Sequence, residues 1–158
     1  MGTICRSRTR VPAVNADAAQ AWFIAGTTPL IVFGGLHVLL TLADTVRPRY
    51  FAPRERSLKP ALEGTRIRFG GSAAPSMWNA WLGFNISHGL GVFTFGLLCL
   101  VIATYDFELV ERIDAIRPLT IAISAAYLAV SLRFWFRGPV IITGTATGCF
   151  TIATVLSA

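Results

Sequence analysis

The chain has 158 residues, 54% hydrophobic and only 14% charged, with a formal net charge of +6. A soluble globular domain carries nearer a quarter charged residues, so this composition points instead to one integral membrane domain. The positive charge does not make nucleic acid a partner, because no nucleic-acid-binding module is present; membrane lipids are the expected partner.

Residues 1–20 read as a basic tail, with Arg6, Arg8 and Arg10. The tail lacks an apolar core, so no cleavable signal peptide is expected and the first span acts as its own insertion signal. Arg6 stands where a myristoylation motif requires Ser or Thr.

Residues 21–158 form the expected transmembrane domain. Charges are nearly absent from four windows, 21–46, 77–105, 119–136 and 139–158. A hydrocarbon core about 30 Å thick takes roughly 20 helical residues. Backbone groups find no water there, so each window is predicted to be a helix. The alternating ten-residue segments of a membrane barrel are missing. The predicted fold class is therefore all-α, an integral membrane antiparallel four-helix bundle.

The first span opens with Trp22 at an interface and contains Pro29, which predicts a kink near residues 25–29, with Thr27, Thr28 or a neighbouring helix compensating the lost hydrogen bond. Gly34 and Gly35 invite close approach of a neighbouring helix. Loop 47–76 follows, basic and punctuated by Pro48, Pro53, Pro60 and Pro75. An irregular, lipid-hugging loop is the preferred reading. The alternative is a short central helix in the headgroup plane, with Leu58, Leu62, Ile67 and Phe69 facing lipid.

The second span starts WNAWLGFNISHGLG, with Trp78 and Trp81 expected at the interface, where an indole N–H stays wet. The acidic segment DFELVERIDAIR comes next; Phe107, Val110, Ile113 and Ile116 are placed to pack on the bundle rim. Pro118 suits the first turn of the third span. In the fourth span Gly144 and Gly148 make a small-x-x-x-small pair, assigned to internal packing rather than dimerisation.

Lys and Arg set the orientation. Loop 47–76 has seven of them, and Arg133 and Arg137 near the last hairpin make nine on that side, against five on the other. Both termini are expected outside and the loop in the cytoplasm, in a bacterial cytoplasmic membrane. Cys5, Cys99 and Cys149 form no C-x-x-C pair, which disfavours thiol redox chemistry. No serine–histidine–acid set, phosphate loop or metalloprotease motif occurs.

Helical spacing sorts the polar residues of each span onto one face. These faces are Thr27, Gly34, His37, Thr41 and Asp44; Trp78, Trp81, Asn85, His88 and Val92; Thr120, Ser124, Tyr127 and Ser131; and Thr143, Thr147, Thr151 and Thr154. Lipid cannot satisfy such groups, so the faces are expected to turn inward. His37 lies about 12 Å and His88 about 16 Å from the same membrane surface, at 1.5 Å per residue. The only two histidines thus share a level, and an intramembrane ionisable group marks a functional-site hypothesis.

His37, His88, Asn85, Trp81, Thr41 and Tyr127 form the candidate ligand site. One reading is structural glue between helices. Another is a ligand or proton site: haem b held by both histidines, a metal, or a quinone headgroup. Asp44 reads as an interfacial cap or a partner of Arg47 or Arg49, and Arg133 as snorkelling to the surface. No catalytic residue is assigned.

The GGLH of the first span and WNAWLGFNISHGLG of the second resemble small four-span bacterial membrane proteins, broadly of the DoxX-like type. The resemblance implies a compact antiparallel bundle and no defined reaction; the cysteine pairing of an oxidoreductase member is missing here. Three functional expectations follow. The leading one is a non-enzymatic accessory or scaffolding subunit of a larger inner-membrane complex, since little extramembrane mass remains for a catalytic apparatus. The second is a redox protein using the histidine pair around haem, metal or quinone. The third is a small oligomeric transporter, hinted at by Pro29 and the glycines.

Overall fold

A computed structural model describes residues 13–157; Cys5 and the arginines of the tail lie outside them. The described chain is all-helical: α1 Ala13–Val46, α2 Leu58–Gly64, α3 Met77–Tyr105, α4 Phe107–Arg112, α5 Ile116–Phe134 and α6 Arg137–Leu156. Four of these, α1, α3, α5 and α6, are long and apolar enough to cross a membrane.

Their ends shift from the expected windows for local reasons. Helix α1 begins eight residues early, because residues 13–20 are rich in alanine, the strongest helix former, and belong to the helix rather than to a separate tail. Helix α5 starts at Ile116 and ends at Phe134, not Phe136, since Trp135 and Phe136 are extended and form the turn into α6. Pro118 and Pro139 both sit in first turns, where a missing N–H costs nothing.

The chain divides into two compact units. One contains residues 13–29 and 99–157; the other is Leu30–Leu98. The division falls at Pro29, within a helix that runs through it. Thr27 and Thr28 donate to the carbonyl of Ile24, at 2.7 and 3.4 Å, so neither replaces the N–H that Pro29 lacks as a donor to the Ala25 carbonyl.

In the first unit Phe23 is the centre of an aromatic cluster, 5.1 Å from Phe150 and 5.9 Å from Phe107. Gly26 lets α1 approach α6, where an added Cβ would lie 3.0 Å from the Phe150 ring. Gln20 donates to the carbonyl of Ala103 at 2.7 Å. Asp106 caps α4, accepting from the Leu109 N–H at 3.2 Å, and this turns Val110 fully inward while Ile113 stays exposed, contrary to its expected rim packing. Arg117 donates to the carbonyl and hydroxyl of Ser157, at 2.8 and 3.1 Å. That places a cation on the negative end of α6, as the helix dipole favours.

The polar face of α6 is not the threonine line. Its buried residues are Pro139, Thr143, Ala146, Cys149, Phe150 and Ala153. All four threonines donate back to the carbonyls four residues earlier, Thr143, Thr147 and Thr151 at 2.8 Å and Thr154 at 2.9 Å, whether buried or not. A hydroxyl satisfied within its own helix need not face inward. Of the two glycines expected to pack internally, Gly144 faces α5 loosely, a Cβ there lying 3.7 Å from the tip of Leu128, while one at Gly148 would meet nothing within 4 Å.

In the second unit α1 and α3 press backbone to backbone. A Cβ on Gly34 would lie 2.5 Å from the Phe93 nitrogen, one on Gly89 2.8 Å from Val38, and one on Gly96 2.9 Å from Ile31. Loop 47–76 is folded rather than irregular. It contains α2, a single 3-10 turn at Gly71–Ala73 and one antiparallel bridge between Arg66 and Ser76. Hydrogen bonds from Ile67 N to Pro75 O (3.1 Å) and from Met77 N to Thr65 O (2.7 Å) tie it to the start of α3. Trp78 is covered rather than wet, buried under the Lys59 ammonium 5.5 Å from its ring.

Candidate functional site

The glycine contacts bring the polar faces of α1 and α3 together at one level of the Leu30–Leu98 unit. His37, 4% exposed, pairs its Nε2 with the Oδ1 of Asn85 at 3.2 Å. The Asn85 amide is oriented by its other end, where Nδ2 donates to the carbonyl of Trp81 at 2.8 Å. A carbonyl only accepts, so Oδ1 must face the imidazole and His37 Nε2 must carry the proton. Thr41 is buried and donates to the His37 carbonyl at 2.8 Å.

Rings complete the surroundings. The His88 ring meets His37 edge to face at 5.5 Å and lies nearly parallel to Phe84, 6.1 Å away. Phe51 stacks at a tilt on His37 at 4.6 Å, and Phe33 lies 5.8 Å off. Five of the six expected site residues thus belong to one unit: His37, His88, Asn85, Trp81 and Thr41. Tyr127 is carried by α5, in the other unit.

Phe51 escaped sequence reasoning, and of the device that holds it only the capping role of Asp44 was expected. Asp44 is fully buried, yet among the described residues it pairs with no arginine side chain. Its Oδ1 accepts from the N–H of Arg49 (2.8 Å) and Tyr50 (3.0 Å), its Oδ2 from Tyr50 (3.1 Å) and Phe51 (2.6 Å). Three successive amides converging on one carboxylate form a nest for an anion, here filled from within the chain. The Trp81 indole donates to the Phe51 carbonyl at 3.0 Å and fixes the same residue from α3. The available signal was an acidic residue at a helix end followed by a short Arg-Pro-Arg segment.

Haem does not fit between these histidines. It would need the two imidazoles on opposite faces of a flat macrocycle, each aiming a nitrogen at the iron. Here the rings touch edge to face, and one turn away the α1 and α3 backbones are in contact at Gly34 and Phe93. Among the described residues no group of three or more His, Cys, Asp or Glu is arranged to hold a metal ion.

A double-mutant cycle on His37→Ala and Asn85→Ala tests the hydrogen bond. The expected coupling is about 0.6 kcal/mol and below about 1.7 kcal/mol, the range of side-chain bonds between membrane helices. Unfolding in mild detergent measures it; additive losses would mean that the two side chains do not act together.

The chain is thus an all-helical protein with four helices of membrane-crossing length and composition and a histidine–asparagine pair buried between two of them. No protein-family model, curated protein or solved structure matches it.

Proposed function

We propose that the chain is a four-span antiparallel membrane bundle that serves as a non-enzymatic accessory or scaffolding subunit of a larger inner-membrane complex. Large apolar side chains lie exposed along the long helices, among them Val32, Leu36, Leu39, Leu97, Val101, Leu132, Ile141 and Val155, as lipid or a membrane partner would require. In the Leu30–Leu98 unit the residue numbers in contact rise along α1 as they fall along α3, from Gly96 beside Ile31 to Gly89 beside Val38. That order supports antiparallel spans. The charge count puts loop 47–76 in the cytoplasm and both termini outside. The likeness of GGLH and WNAWLGFNISHGLG to DoxX-like four-span proteins belongs to the same reading.

The observation that carries the non-enzymatic role is the internal engagement of the polar groups. Asn85 joins His37 to Trp81, Thr41 bonds its own helix, and Asp44 holds three backbone amides. The His37–Asn85 bond ties α1 to α3, the Asp44 bonds hold a loop, and the other two are spent within their own helices. Gentle-detergent purification of the tagged chain from its native membrane is expected to retain at least one membrane polypeptide in constant ratio. Recovery as a clean monomer at every step, with no cross-linked neighbour, overturns the proposal.

One observation favours a second reading, a quinone site. His88 is half-buried, stacked on Phe84 and adjacent to His37, which gives a planar carbonyl ligand both a ring to lie on and an imidazole to bond. Quenching of tryptophan emission by a short-chain quinone, abolished in His88→Ala, is its test.

A further inference from the structure

Loop 47–76 carries more structure than a connection between two spans needs. It holds Arg47, Arg49, Arg54, Arg56, Lys59, Arg66 and Arg68 against only Glu55 and Glu63. Among the described residues the single ion pair here joins Lys59 to Glu63. The six arginines are exposed. They are also held at a defined level, because both ends of the loop are anchored. Asp44 fixes residues 49–51, just past the end of α1. The Arg66–Ser76 bridge and the Met77-to-Thr65 hydrogen bond fix the other end at the start of α3. Arg66 adds a bond to the Ala74 carbonyl at 2.7 Å.

At the tip of this anchored loop stands Phe69, 90% exposed, next to Arg68 and followed by Gly70 and Gly71, both at positive φ. Leu58 and Tyr50 are also more than half exposed. An exposed ring next to an arginine, in a loop with five further exposed arginines, matches the boundary between headgroups and acyl chains. There the ring is buried and each planar guanidinium can take two phosphate oxygens.

We propose that loop 47–76 is a docking surface for the phosphodiester headgroups of anionic phospholipids in the chain's own membrane. Phe69 enters the acyl boundary, while Arg54, Arg56 and Arg68 engage the phosphates. Free phosphate is the poorer occupant, since it gives the exposed aromatic and aliphatic side chains nothing to bury against. The inference rests on the membrane reading above and adds a lipid specificity to it.

The test uses the full chain in nanodiscs of mixed phosphatidylglycerol and phosphatidylcholine, with each lipid spin-labelled in turn. The native protein is expected to immobilise the anionic lipid preferentially, with the preference falling as salt is raised. Each surface cation near an anionic leaflet changes association about fivefold. The triple variant Arg54→Gln, Arg56→Gln, Arg68→Gln should therefore lose at least about tenfold of the preference, at unchanged helicity. Lysine at the same three positions should keep most of it. Phe69→Ser should weaken contact with both lipids alike.

Equal immobilisation of the two lipids by the native chain overturns the proposal, as does a triple variant with its preference intact. Displacement of the labelled lipid by inorganic phosphate, beyond the effect of chloride at matched ionic strength, would assign the surface to a soluble anion and also overturn it. A chain that immobilises neither lipid fails the membrane reading itself.

Discussion

Gly34→Ala is expected to be among the most damaging single substitutions in this protein. The new Cβ would lie 2.5 Å from the Phe93 nitrogen, 2.8 Å from its Cα and 2.9 Å from the Gly89 carbonyl oxygen. All three are backbone atoms of α3, so no rotamer change relieves the clash. The two helices must separate, and the His37–Asn85 contact one turn away separates with them. Overpacking ordinarily costs about 1–3 kcal/mol, and a clash with fixed backbone belongs at the upper end or beyond. Gly148→Ala provides the contrast. Its Cβ meets nothing within 4 Å, and alanine is the better helix former by about 1 kcal/mol, so that variant should be neutral or slightly more stable. Unfolding midpoints in mild detergent read both. Equal stability of Gly34→Ala and the native chain would mean that α1 and α3 do not meet as described.

The second large effect is expected at Asp44. Alanine there removes the acceptor for the amides of Arg49, Tyr50 and Phe51 together. A buried donor left unsatisfied costs about 1–3 kcal/mol. Arg49 and Tyr50 are exposed and can turn to water, so about 2–4 kcal/mol is expected for the set rather than three full penalties. Asparagine is an informative intermediate. Each carboxylate oxygen accepts from two amides, and an NH2 in place of either one faces donors with another donor. It should recover less than half of the loss. The consequence reaches the site, because Phe51 stacks on His37 and accepts from Trp81 only while the nest holds its backbone. Amide exchange at residues 49–51 should accelerate in Asp44→Ala while the α5 and α6 amides stay protected. Unchanged exchange at those three positions would show that the carboxylate is not their acceptor.

Four long helices were legible in the sequence because apolar length is a one-dimensional property: hydrocarbon demands helix, and charge-free windows reveal where. Most of the inward faces of the first three spans were legible for a related reason, since Thr27, His37, Thr41, Asn85, Thr120 and Ser124 follow the helical period and are buried, although Trp81, assigned to the same face as Asn85, is exposed. The same period misled for the last span. The hydroxyls of Thr147, Thr151 and Thr154 bond their own helix, and the buried line of α6 runs from Thr143 through Ala146, Cys149, Phe150 and Ala153 instead.

Three features were decided by tertiary structure alone. Glycine spacing flagged Gly34 and Gly35 equally with Gly144 and Gly148, and only packing distinguished Gly34, which touches another backbone, from the other three, which do not. The carboxylate of Asp44 found its partners in amides five to seven residues on, a choice fixed by how the chain leaves α1 rather than by residue type. Loop 47–76 closed on itself through bonds between residues about ten apart, at Arg66 and Ser76 and at Thr65 and Met77. Periodicity records which way a side chain points along one rod. It holds no record of which atoms of another segment arrive there, and that arrival makes His37 a partner of Asn85 and Phe51.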